Sequence, residues 1–208
     1  MLIFRSLVVA ALAVSSLCAQ YKTEPAGPPP PEVASVAGVL VKDGLKILKP
    51  DGAVLCEFWL VATEPTGGAV EQNASWSSVG HGALLGVVRY PARFSDRRGQ
   101  TIKPGVYTMR YSFFPMNGDH QGVAPQRDFA ILSPAAADTD AAARPAFDPL
   151  MDMSRKASGT PHPLILSIWK DDPPSPAGLE AVGDHDQVLH TKIGATAVSI
   201  IVAGKAEA

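Results

Sequence analysis

Strict alternation between Val106 and Phe113 constrains this chain more than any other feature. Tyr107, Met109, Tyr111 and Phe113 fall on one side of an extended backbone, and Val106, Thr108, Arg110 and Ser112 on the other. Period two with one aromatic face marks a half-buried β-strand, and Pro104-Gly105 supplies the turn that launches it. A helix would scatter these residues around its axis, so the fold must give this segment hydrogen-bonding neighbours.

Similar segments recur along the chain. Val39–Lys42 and Leu45–Lys49 flank Asp43-Gly44, a strong short-range hairpin signal because both turn residues tolerate positive φ. Pro50-Asp51-Gly52 makes the next turn, and Ala53–Ala62 reads as a long strand. Thr63–Gly80 reads as a loop. Ala83–Tyr90, Arg127–Leu132, Leu164–Trp169, and the closing pair Gln187–Lys192 and Ala197–Ala203 around Gly194 continue the pattern. One helix is signalled: Asp148 as cap, Pro149 in the first turn, Arg155 and Lys156 at the negative end, then Gly159 and Pro161 as stops. About nine short strands and one short connecting helix predict an all-β antiparallel β-sandwich, with a small β-barrel as the alternative.

The amino-terminal end reads differently. Ser6–Leu17 is an uncharged, mostly apolar run behind Arg5, and Ala19 ends a small-residue site. This is the layout of a secretory signal peptide over residues 1–19, which implies a secreted or periplasmic protein. Twelve helical residues cover about 18 Å, too short for a hydrocarbon core of roughly 30 Å, so no transmembrane span is expected after its removal. Lipidation of Cys18 would need Leu and a small residue where Ser15 and Leu17 stand. Residues 20–36 hold a proline run and little apolar bulk, and predict a semi-rigid spacer ahead of a β-sandwich domain over 37–208. Cys56 would then be the one mature cysteine, so the domain depends on its apolar core. A formal net charge of −2 provides no overall positive field for nucleic acid.

The layout from Ala37 to Gly204 resembles that of small exported bacterial β-sandwich proteins. The similar features are Lys103-Pro104-Gly105-Val106-Tyr107 entering an aromatic strand and the closing strand pair. The resemblance implies fold and compartment; it carries no activity and no site residues.

Strong catalytic motifs are absent: no Gly-x-Ser-x-Gly, His-Glu-x-x-His, P-loop or Cys-x-x-Cys occurs. The long segment 115–126 offers Asp119, His120 and Gln121, followed by Arg127, as a candidate ligand-binding loop. Asp184, His185 and His190 form a second polar segment. His120, His185 and His190 would make an imidazole metal site if their loops converged, with His81 as a possible addition. Ser158 near Lys156 and His162 invites a hydrolytic reading, although hydroxyls beside a helix end usually cap it. Mid-strand Glu57, Arg89 and Arg110 either line a polar cleft for a glycan or anionic metabolite or form internal ion pairs. Asn73-Ala74-Ser75 is a formal glycosylation sequon. The expectation is a binding or structural role in the cell envelope, with a histidine-ligated metal protein, an enzyme in one version, as the alternative. The chain does not name a cofactor; its candidate partners are a small molecule, a glycan or a metal ion.

Overall fold

A computed structural model describes residues 20–68, 73–114 and 126–206. The expected all-β antiparallel architecture is present. Ten strands make one continuous sheet, and every neighbouring pair is antiparallel. In chain order the strands are β1 (Lys22–Gly27), β2 (Gly44–Leu48), β3 (Val54–Leu60), β4 (Leu84–Tyr90), the short β5 (Phe94–Ser95) and β6 (Thr101–Ile102), β7 (Gly105–Phe113) and β8 (Asp128–Pro134). Helix α1 (Phe147–Ser158) follows, then β9 (Leu164–Lys170), β10 (Gly178–Val182), β11 (Asp186–Ile193) and β12 (Thr196–Ala203). The sheet order is β1-β2-β3-β4-β7-β8-β9-β12-β11-β10, and β5-β6 form a separate hairpin. The sheet curls around one apolar core that joins Ile47, Phe58, Val88 and Met109 to Leu166, Ile168, Leu189 and Ile200. Its two edges, β1 and β10, come into contact, with Tyr21 and Leu179 both packed on the core.

Residues 20–36 are not a spacer. Lys22–Gly27 form the first strand and pair with β2 from Lys22↔Leu48 to Gly27↔Gly44. Pro25 is tolerated because β1 is an edge strand, where a missing N–H need not break a ladder. Pro31–Val33 then form a 3-10 turn, and Val33, Val36 and Leu40 are buried. The proline run is thus a packed crossing.

Asp43-Gly44 does not close a hairpin. Leu40 bridges Val61, and Leu45 pairs with Phe58. Both halves of the predicted hairpin therefore run along the same side of β3, and Asp43-Gly44 lies at a break between them. Gly44 is required there for another reason. A Cβ on it would stand 2.5 Å from the Trp59 indole nitrogen and 2.6 Å from the Phe58 carbonyl oxygen. That indole donates to the Gly27 carbonyl at 2.8 Å, which locks β1 over β3.

The alternation in β7 is real, but its polar face is buried as well. By register, Glu57, Trp59, Arg89, Thr108 and Arg110 share the outer face of β3, β4 and β7. Residues 135–146 fold back over part of this face, opening with a 3-10 turn at Ala135–Ala137. Further along the same face, Phe129, Ile131 and Ile165 pack under Leu150 and Met151 of α1. The Ser154 hydroxyl donates to the Leu132 carbonyl at 2.6 Å and accepts the Leu164 N–H at 2.8 Å, stitching α1 across β8 and β9. The helix starts one residue before Asp148, so Asp148 meets the positive end from within the first turn. Gly159, at φ +69°, closes it in the left-handed region as expected. Cys56 is fully buried, and burial pushes its thiol well above the ordinary range, the setting of an inert core residue.

Candidate functional site

The mid-strand charges are structural. Arg110 is fully buried. Its Nε and Nη2 hold Asp138 at 2.6 and 2.7 Å, and Nη1 and Nη2 reach the carbonyls of Gly82, Ala143 and Asp140 at 2.8, 2.5 and 2.6 Å. One guanidinium thus fastens residues 138–143 to the sheet, using its rigid fork of donors. Glu57 forms an ion pair with Arg89, whose guanidinium lies 5.9 Å from the Trp59 ring centre. Asp128 is also fully buried; it accepts the N–H groups of Ser75 and Trp76 at 2.9 and 3.3 Å and the Tyr111 hydroxyl. Burial, first, and this contact hold the Tyr111 phenol far above its ordinary range. Tyr107 and Tyr111 are core filling, and Trp59 is buried on the outer face, where its indole donates to the Gly27 carbonyl.

The sequence-derived candidates separate. Asp119, His120 and Gln121 lie outside the described residues. Arg127 donates to the Phe114 carbonyl at 2.7 Å and stacks its guanidinium 4.6 Å from the Phe113 ring centre. His185 is exposed in the β10–β11 turn beside Asp184, whereas His190 is buried at the far end of the same hairpin, opposite Gly178. Asp186 to His190 spans about 13 Å of strand, too far for both imidazoles to share an ion with bonds of roughly 2 Å. His190 Nδ1 faces Ser199 Oγ at 2.8 Å and Asp171 at 3.4 Å, and Nε2 faces Glu180 at 3.0 Å. Ser199 and Asp171 thus meet the same ring nitrogen, which is not the nucleophile–base–orienter order of a hydrolytic triad. Among the described residues no group of three or more His, Cys, Asp or Glu is placed to hold a metal ion. The Ser158 hydroxyl donates to the His162 carbonyl at 2.8 Å and accepts the Thr160 N–H at 3.0 Å, so it caps the loop after α1.

Two clefts remain. The first, about 360 Å³, runs between Val39, the end of β3 and residues 141–144. Its acid, Glu64, is occupied by the Trp76 indole at 2.8 Å, Ser78 at 3.3 Å and Thr196. These donors, Thr196 foremost, hold the Glu64 carboxyl below its usual value of 4.5. A lowered folded value means that the contribution is complete above 4.5 and is lost as pH falls through the folded value. Acid titration of unfolding is expected to show a small loss below pH 4.5 in the wild type that Glu64→Gln lacks.

The second cleft, about 610 Å³, opens between the β5–β6 turn (Arg98–Thr101) and the loop after α1 (Ser158, Thr160, His162). The sequence singled out Ser158 and His162 beside the helix end. Nothing local signals that this loop meets the β5–β6 turn, because they are some sixty residues apart; Thr160 Oγ1 donates to Gln100 Oε1 at 3.0 Å across this junction. Asp96 organises the turn by accepting the N–H groups of Arg98 and Gln100, both at 3.0 Å, and pairing with Arg98 Nη2 at 2.8 Å.

No family model, curated protein or solved structure matches this chain. No helix among the described residues is long and apolar enough to cross a membrane.

Proposed function

We propose that this chain is an exported binding module of the cell envelope, and that it takes a small polar ligand in the cleft between the β5–β6 turn and the loop after α1. One observation carries the reading. Arg110, Glu57 and Asp128 are consumed in holding the fold together, whereas this cleft presents polar side chains to solvent from two rigid supports. A concave site of a few hundred Å³ with convergent polar groups on fixed elements is where ligands bind. Export is supported by the apolar run Ser6–Leu17 behind Arg5 and by the small residue Ala19 at its end.

Two measurements test this. Expressed as residues 1–208 in a bacterial host, the chain is expected outside the cytoplasm with Gln20 as its first residue by intact mass; an unprocessed cytoplasmic product would overturn export. A panel of sugars and anionic metabolites titrated into the isotope-labelled mature chain is expected to shift the amide signals of Gln100, Thr101 and Thr160. A panel that leaves those signals unmoved would overturn the binding site.

A further inference from the structure

We infer that the ligand of this cleft is a phosphorylated sugar, a conclusion that rests on the cleft being a binding site. The Pro161 carbonyl accepts Arg155 Nε at 2.9 Å, the His162 carbonyl accepts Ser158 Oγ at 2.8 Å, and the Pro163 carbonyl accepts Arg98 Nη2 at 2.6 Å. The Gln100 side-chain oxygen accepts Thr160 Oγ1 at 3.0 Å, and its main-chain oxygen accepts the Asp96 N–H at 2.9 Å. These acceptors are turned inward and occupied.

The donors are not. Arg98 Nη1 and the Gln100 amide nitrogen, which only donate, bond to no other described residue, and neither do the Thr101 hydroxyl and the His162 ring, which can both donate and accept. No acidic side chain lines the cleft among the described residues, since Asp96, the carboxylate behind it, is fully buried and spent on the turn. Lys103 adds a further cation at the rim: its Nζ lies 4.0 Å from where a Cβ on Gly159 would stand. Donor-only groups without a partner favour a ligand rich in acceptors, and the Lys103 ammonium beside a guanidinium whose charge Asp96 already balances favours one that is negatively charged. Phosphate alone would fill a small part of about 610 Å³. The remaining donors, an amide and a hydroxyl, are the groups that meet sugar hydroxyl oxygens. The Arg98 fork is held by Asp96 and Pro163 before any ligand arrives, so it is oriented in advance.

The probes are glucose 6-phosphate, glucose and inorganic phosphate, titrated by calorimetry and amide shifts into the mature chain. Glucose 6-phosphate is expected to bind about tenfold or more tightly than either fragment, the scale of one charge-assisted hydrogen bond. His162→Ala is expected to weaken it severalfold while leaving the thermal midpoint unchanged, because the ring bonds to no other described residue, whereas Gln100→Ala also removes the acceptor of Thr160 Oγ1 and is expected to lower both affinity and midpoint. Equal affinity for glucose and glucose 6-phosphate would overturn the phosphate assignment and leave the binding site standing. Phosphate binding as tightly as glucose 6-phosphate would overturn the sugar half. No binding of any probe would overturn the inference, while shifts with other members of the wider panel would still keep the binding module.

Discussion

Arg110→Met is expected to cost about 3–5 kcal/mol of folding stability, the range for removing one partner of a buried ion pair. The substitution leaves the Asp138 carboxylate buried without its guanidinium and takes the donors from the carbonyls of Gly82, Asp140 and Ala143. Loss of packing is secondary, because methionine fills much of the arginine stem. In a domain of this size the thermal midpoint should fall by on the order of 10 °C. The double variant Arg110→Met with Asp138→Leu should recover part of the loss, since it removes the orphaned charge, although the three carbonyls and the Thr108 hydroxyl, which donates to Asp138 at 2.6 Å, then lack these partners. Denaturant unfolding followed by circular dichroism reads both. A single-variant loss below about 1 kcal/mol, the scale of an exposed ion pair, would show that the pair is not the fastening described.

Gly86→Ala is the second large effect, at about 3 kcal/mol, the upper part of the overpacking range. Gly86 sits in the middle of β4, facing Leu60 of β3. A Cβ there would stand 2.6 Å from the Trp59 carbonyl oxygen and 2.8 Å from the Leu60 Cα. Both are backbone atoms in the centre of the sheet, so relief requires moving a strand. Gly52→Ala serves as the comparison. Gly52 has φ +83° in an exposed turn, and its Cβ would meet nothing within 4 Å. It should cost only about 1–2 kcal/mol of left-handed backbone strain. Gly86 also has a positive φ, +155°, so both variants carry backbone strain and Gly86→Ala alone adds the steric clash; equal losses in urea midpoint would contradict the close approach of β3 and β4 at Gly86.

Much of the fold was legible because it was written locally. The aromatic face of β7, the β11–β12 hairpin around Gly194 and the stop of α1 at Gly159 each depend on residues within one or two turns of chain. Misreadings came where a local rule met a distant partner. Asp43-Gly44 is good turn chemistry, yet β3 offers a continuous edge, and Leu40 and Leu45 both take it. Residues 22–27 carry no strand pattern of their own, with a charged and proline-bearing segment exposed at the sheet edge; only their pairing with β2 makes them a strand. The polar side of β7 looked like a solvent face because Thr108, Arg110 and Ser112 are polar. It is buried because residues 138–143 bring Arg110 the acceptors that make burial tolerable.

The candidate site follows the same division. His162 and Ser158 were legible as polar residues after a helix, but not their meeting with Arg98 and Gln100. From its residues alone the chain determined an antiparallel β architecture and one helix with its stop, because alternation and stop signals act over a few residues. Tertiary structure alone decided which faces are covered, which charges are fasteners and which donors still face solvent. Those outcomes depend on whether each polar group finds a partner far away in sequence, and no local pattern encodes that.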